Sequence, residues 1–135
     1  MYLYLYRLIT YIVLIASPII LIFRIVKKKE DIIRFKEKFS IINLERKKGK
    51  LIWFHGASVG EISSVMPLVE KLNKRKDIKQ ILITSSTLSS SKIIKKFRFT
   101  KVVHQFYPLD INFITQNFLN YWTPDLAIFI DSEVW

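Results

Sequence analysis

One long apolar run opens the chain, and short apolar runs divided by polar stretches make up the rest. Leu8 to Phe23 carries no charge, and between Tyr2 and Phe23 only Arg7 interrupts. That length is close to the roughly 20 apolar residues a bilayer-crossing helix needs, and the run is apolar on all sides. It predicts a membrane-anchor helix over residues 1–26, with a buried core helix as the alternative. Pro18 is compatible with a membrane helix. Tyr2, Tyr4, Tyr6 and Tyr11 suit the headgroup level, where a ring is half wet. Cleavage as a signal peptide fits poorly, because Arg7 is the only charge of the n-region and no small-x-small site precedes the basic residues.

Lys47-Lys48-Gly49-Lys50 is a polar break between a membrane-proximal segment, 27–50, and a globular unit, 51–135. In that unit the runs 51–54, 81–84, 102–106 and 126–130 read as strands. The segments 61–75, 89–97 and 111–122 read as helices, the first with Ile62, Val65, Met66, Val69 and Leu72 at helical spacing. Continuously apolar strands are covered on both faces, as in parallel sheets. Strand–helix alternation with short connections predicts an α/β fold with a doubly wound sheet. Pro67 fits two arrangements: a helix kinked there, or one whose regular part begins near Ser64 or Val65.

Composition narrows the partners. Half the residues are hydrophobic, which argues against disorder. With no cysteine and two histidines, neither disulfides nor a thiolate or histidine metal centre is expected. The net charge of +11 points to a polyanionic partner. Arg24, Lys27, Lys28 and Lys29 follow the apolar run directly, with Arg34, Lys36 and Lys38 close behind. That placement is a positive-inside signal, so the remainder is expected at the cytoplasmic face, against anionic lipid. No nucleic-acid recognition motif accompanies the charge.

In an open α/β sheet, ligands bind beyond the carboxyl ends of the strands. "HGASVGE" (55–61), "TSSTLSS" (84–90), "YPLD" (107–110) and "DSEVW" (131–135) are all expected on that rim. Gly56 and Gly60, two of only three glycines, allow angles or close approaches that a Cβ forbids. Glu61 falls in the first turn of a helix, where it either serves chemistry or complements the helix dipole. No Gly-Lys-Ser/Thr follows, so the loop is not a Walker motif. Asp131 and Glu133 alternate at a strand end; they flank the same cleft or are simply solvated. Ser85, Ser86 and Thr87 are candidate phosphate contacts, with helix capping as the alternative.

These segments, taken in order, resemble the Kdo transferases, which add 3-deoxy-D-manno-octulosonic acid to lipid A. "LIWFHGASVGEISSVMPLVEKL" is similar to their signature of an apolar strand, H-x-x-S-x-G-E and a helix containing Pro-Leu. "ILITSSTLSSSK", "FYPLD" and "PDLAIFIDSEVW" resemble their later segments, and the apolar N-terminal helix followed by "RFKEKFS" fits as well. The resemblance spans nearly the whole chain. One departure is Asp131, which stands where the family usually has Glu.

The resemblance implies the Rossmann-like, acceptor-binding N-terminal half of a GT-B glycosyltransferase at the inner membrane. It implies CMP-Kdo as donor, lipid A precursor as acceptor, inversion at the anomeric carbon, and neither cofactor nor metal. Glu61 would be the general base, with Ser58, Gly60, Asp131 and Glu133 binding or supporting the acceptor. The sequence stops at Trp135. The expectation is therefore a chain inactive alone, completed by a separately encoded C-terminal donor domain. The alternatives are a non-catalytic anchored module that binds phosphorylated lipid, or a decayed gene remnant.

Overall fold

The computed structural model describes residues 2–130. An apolar helix, α1 (Tyr2–Val26), leads into a short 3₁₀ helix (Arg34–Phe39). Strands and helices then alternate: β1 (Lys50–His55), α2 (Val59–Asn73), β2 (Ile78–Ser85), α3 (Leu88–Lys96), β3 (Val102–Phe106), α4 (Asn112–Trp122) and β4 (Leu126–Phe129). The sheet has the order β3-β2-β1-β4, and every pair is parallel.

Alternation along the strands sorts the core into two layers. Ile52, Phe54, Ile81 and Ile83 face α2 and α3, meeting Ile62, Met66, Val69 and Ile94. Leu51, Trp53 and Leu82 point the other way, onto Phe118 and Trp122 of α4. Helices therefore cover both faces, as the apolar runs of β1 and β2 require. The strand order reverses between β1 and β4, the kind of switch point at which a Rossmann-like sheet opens a crevice.

Three expectations need correction. β2 begins at Ile78, three residues before the apolar run, because Ile78 pairs with Lys50. The second helix starts at Val59 with Ser58 as its cap, and Pro67 lies well inside it, so regular structure does not wait for Ser64. The carbonyl that Pro67 leaves without its helical donor belongs to Ser63, on the exposed side of the helix, where water can serve it. Finally, β4 is continuously apolar yet only partly covered: Ile128 packs on the α2 layer, but Leu126 is 52% and Phe129 43% exposed.

The segment 27–50 is stitched to the sheet. Ser40 donates to the Ile114 carbonyl (2.7 Å), the Gln80 amide donates to the Glu45 carbonyl (2.8 Å), and Arg46 donates to the Trp122 carbonyl (2.7 Å). Ile42 and Leu44 pack on the α4 layer. Part of the expected free positive charge is engaged within the chain, since Arg24 and Lys38 both reach the buried Glu30. Lys27, Lys28, Lys29 and Lys36 stay exposed.

The outer edge of β3 is closed by side chains. In a parallel ladder, a neighbouring residue donates to one carbonyl and accepts from the N–H two residues on. Here Arg34 donates to the His104 carbonyl (2.7 Å) and Glu37 accepts from the Phe106 N–H (2.8 Å). Arg34 and Glu37 also form a two-pronged ion pair, at 2.7 and 2.9 Å. This fork occupies the place of a residue opposite Gln105 in a fifth strand.

α1 is long and apolar enough to cross a membrane and is almost wholly exposed, which fits membrane association. Its Tyr6 hydroxyl donates to Asp110, beyond the end of β3, so the helix runs beside that rim.

Candidate active site

β1 ends at the switch point, and the loop after it carries the candidate chemistry. The Gly56 N–H donates to the Thr84 carbonyl (3.1 Å), and the Ile130 N–H donates to the His55 carbonyl (2.8 Å). The loop is thereby fixed between β2 and β4. A Cβ on Gly56 would stand 2.9 Å from Ile62 Cδ1 and 3.3 Å from Glu61 Cβ, so a side chain there would displace the buried Ile62 methyl and crowd Glu61. Gly60 differs, because the nearest atom a Cβ would meet there is Ser58 Oγ at 4.0 Å. Gly60 has no steric necessity; it leaves open space above the first turn of α2.

Glu61 sits in that first turn. Its N–H donates to Ser58 Oγ (3.3 Å), and the Ser58 hydroxyl donates to Glu61 Oε1 (2.6 Å). Glu61 Oε2 accepts from the Ala57 N–H (2.6 Å). This is a capping box whose carboxylate reaches one residue further back than usual. The carboxylate thus serves the helix N-terminus and, by the same two contacts, is held in one orientation at the crevice. The dipole reading and the chemical reading of Glu61 use one geometry.

Beside it stands a wall that the sequence did not reveal. The His55 ring lies 4.0 Å from that of Tyr107 and 5.7 Å from that of Phe129. His55 Nδ1 pairs with Thr84 Oγ1 (2.9 Å), which also accepts from Trp53 Nε1 (2.9 Å). Burial lowers the His55 pKa, with Thr84 and the negative charge of Glu61 acting in the opposite sense. Burial, then Asp110, raises that of Tyr107. The available signal was position: His55 ends β1 and Tyr107 follows β3, both on the rim where ligands bind.

The three serine and threonine candidates part company. Thr87 caps α3, accepting from the Ser90 N–H (3.2 Å), which realises the capping alternative. Ser85 is fully buried and turned away from the open rim. It pairs with His104 Nε2 (2.8 Å). Arg34 Nη2, which can only donate, faces His104 Nδ1 at 3.0 Å, an arrangement that favours the tautomer with the proton on Nε2, toward Ser85. Burial, together with the charges of Arg34 and Lys95, lowers the His104 pKa to about 3. Ser86 remains half-buried at the rim. Asp131 and Glu133 lie outside the described residues.

The profile of the family described as 3-deoxy-D-manno-octulosonic-acid transferase (kdotransferase) matches residues 33–135. Proteins named 3-deoxy-D-manno-octulosonic acid transferase align along most of the chain. The one from Rickettsia bellii is 40% identical over 131 residues, covering 97% of this chain and 31% of its own length. The Rickettsia felis protein is 33% identical over 178 residues, covering 97% and 38%. The Haemophilus influenzae protein is 32% identical over 130 residues, covering 93% and 30%. The chain spans about a third of the length of these curated relatives. No solved structure gives a significant match.

Proposed function

The chain belongs to the 3-deoxy-D-manno-octulosonic-acid (Kdo) transferase family, and on that premise we propose that residues 51–135 form the acceptor-side wall of a GT-B glycosyltransferase. The reaction is transfer of Kdo from CMP-Kdo to lipid A precursor in lipopolysaccharide synthesis. In this reading Glu61 accepts the proton of the attacking acceptor hydroxyl as that oxygen bonds to the anomeric carbon. CMP leaves from the opposite face, and the configuration inverts. The donor wall is assigned to the part of the relatives beyond the aligned stretch, and α1 holds the unit at the cytoplasmic face of the inner membrane.

The observation that carries the proposal is the fixing of Glu61 at the switch-point crevice by the Ala57 N–H and the Ser58 hydroxyl. A base oriented before substrate arrives loses little entropy in reaching the near-attack geometry. His55 and Tyr107 form the side of the crevice against which an acceptor sugar ring would stack. Asp131 and Glu133, next along the chain from β4, are proposed to border the same opening, and Ser86 is the remaining candidate contact for an acceptor phosphate.

The test uses a chimera in which this chain replaces the aligned N-terminal part of the Rickettsia bellii protein, assayed by mass spectrometry for Kdo incorporation. Glu61→Gln keeps shape and removes basicity. It is expected to lower the rate by about 10²–10⁴-fold, while this chain by itself shows no turnover. A near-normal rate for the Gln variant would remove Glu61 from the mechanism.

A further inference from the structure

A second concentration of positive charge lies away from Glu61. Between Asp77 and Asp110 there is no carboxylate, and Lys92, Lys95, Lys96, Arg98 and Lys101 crowd the end of α3 and the loop that leads into β3. Phe97 is 42% exposed among them. Its ring stacks on that of Phe99, with centroids 5.5 Å apart. Next to it opens a cleft of about 390 Å³ whose lining includes Arg34, Lys95 and Arg98 together with Ile94, Phe97 and Phe99. Glu37 is paired with Arg34, and Asp31 feels Lys95 while accepting from the amides of Ile33 and Arg34. Those two carboxylates do not balance the five lysines and arginines of the loop.

The location gives this chemistry a direction. The cleft is on the outer flank of β3, at the end where the strand begins, whereas Glu61 follows β1, two strands across and at the opposite end. Arg34 stands only eight residues beyond Val26, the last residue of α1, so a short tether joins the cleft to the membrane-associated helix. An exposed aromatic ring flanked by cations is the composition that settles at a bilayer interface, with the ring at the acyl boundary and the charges on headgroup phosphates.

We propose that this cleft seats the headgroup phosphate of an anionic bilayer glycerophospholipid, with Phe97 dipping into the interface. The α/β unit is then held to the membrane at a second point besides α1. This goes beyond the sugar-transfer reading and does not rest on it, since it holds equally for a chain without activity.

The absence of cysteine makes a site-specific reporter straightforward. Thr100→Cys, at an exposed loop position, is labelled with an environment-sensitive fluorophore. The full chain is placed in nanodiscs of phosphatidylcholine alone or with roughly one lipid in three replaced by phosphatidylglycerol. The expected result is brighter, blue-shifted emission only in the anionic discs, quenched by headgroup-nitroxide phosphatidylglycerol. Each cation at a membrane surface is worth about fivefold in affinity. Lys95→Glu with Arg98→Glu should therefore raise the phosphatidylglycerol fraction needed for half response at least several-fold.

Circular dichroism checks that each variant stays folded. Equal emission in both kinds of disc would overturn the proposal, as would an unchanged response in the Lys95/Arg98 variant. So would loss of the response on adding inorganic phosphate, which would mark a small-anion site.

Discussion

The two edges of the sheet are finished in opposite ways. At β3 the outward carbonyl of His104 and N–H of Phe106 are taken by Arg34 and Glu37, so the place of a residue opposite Gln105 is already filled. At β4, Leu126 and Phe129 lie open, and among the described residues no comparable fork closes the outer side. The compositions would suggest the reverse. "LAIF" is wholly apolar and reads as the better core strand, while "VVHQF" carries two polar residues. Yet His104, Gln105 and Phe106 are all buried, and the apolar strand is the exposed one. Burial is decided by what a strand has for neighbours, and a bare apolar edge is suited to receiving a further strand or layer.

The largest effect should come from removing the β3 closure. Arg34→Ala leaves the Glu37 carboxylate, 13% exposed, without its cation and the His104 carbonyl without its donor. Breaking such a pair costs about 3 kcal/mol, equivalent to a fall in melting temperature of roughly 10–20 °C for a unit of this size. Tryptophan fluorescence of the detergent-solubilised chain during heating measures it. A shift no larger than that of a surface substitution would mean the fork fills the edge without stabilising it.

Acid should weaken the β3 side next. The pKa of His104 is about 3 in the fold, against about 6.5 in the unfolded chain. The unfolded chain therefore takes up the proton first. The contribution is fully present above pH 6.5 and is lost progressively as pH falls toward 3, by up to about 1.4 kcal/mol per pH unit. His55, also lowered, adds in the same direction. Asp31, whose pKa is lowered mainly by the Arg34 N–H, contributes only further into acid. Urea unfolding at several pH values between 7 and 4 gives the slope, and His104→Gln should flatten it. An unchanged slope would assign the acid sensitivity elsewhere. β4 itself carries no titratable side chain.

Glu37→Gln sharpens the comparison more gently. The amide oxygen can still accept from the Phe106 N–H, but the amide nitrogen in place of Oε1 cannot accept from Arg34 Nε, so the charge and one prong of the pair are lost, at about 1–2 kcal/mol by the same melting measurement. A cost equal to that of Arg34→Ala would show that the ion pair, rather than the ladder-like hydrogen bonds, closes the edge.

The smallest effect on stability is expected at the other edge. Leu126→Lys, on an open surface, should shift unfolding by no more than about 0.5 kcal/mol while reducing self-association, because a charge on an exposed edge discourages pairing. Light scattering of the full chain against concentration reads the second effect. Undiminished association would move the sticky surface away from β4.

The candidate site was partly legible for similar reasons. Glu61 was found because its place in the first turn of a helix is local, whereas Ser58 was named through the family resemblance and its capping of that turn came only with the structure. Gly56 was found as a position of close approach, and the structure supplies the atoms a Cβ would crowd, Ile62 Cδ1 and Glu61 Cβ. His55 was quoted but given no task, since its partners Thr84 and Tyr107 belong to other segments of the chain. Ser85 was read as facing a ligand because its side-chain direction depends on His104 across the sheet.

The sequence by itself determined the apolar N-terminal helix, the alternation of strand and helix, the parallel sheet and the place of Glu61 in a first helical turn. Those features are written in periodicity and in contacts spanning a few residues, which the covalent chain enforces. The tertiary structure alone decided the pairing of His104 with Arg34 and Ser85, the closing of β3 by residues 69 and 70 positions away, the exposure of β4 and the basic cleft beside Phe97. Each of these depends on which distant group arrives to satisfy a donor, an acceptor or an apolar face, and apolar periodicity records that a face must be covered without recording by what.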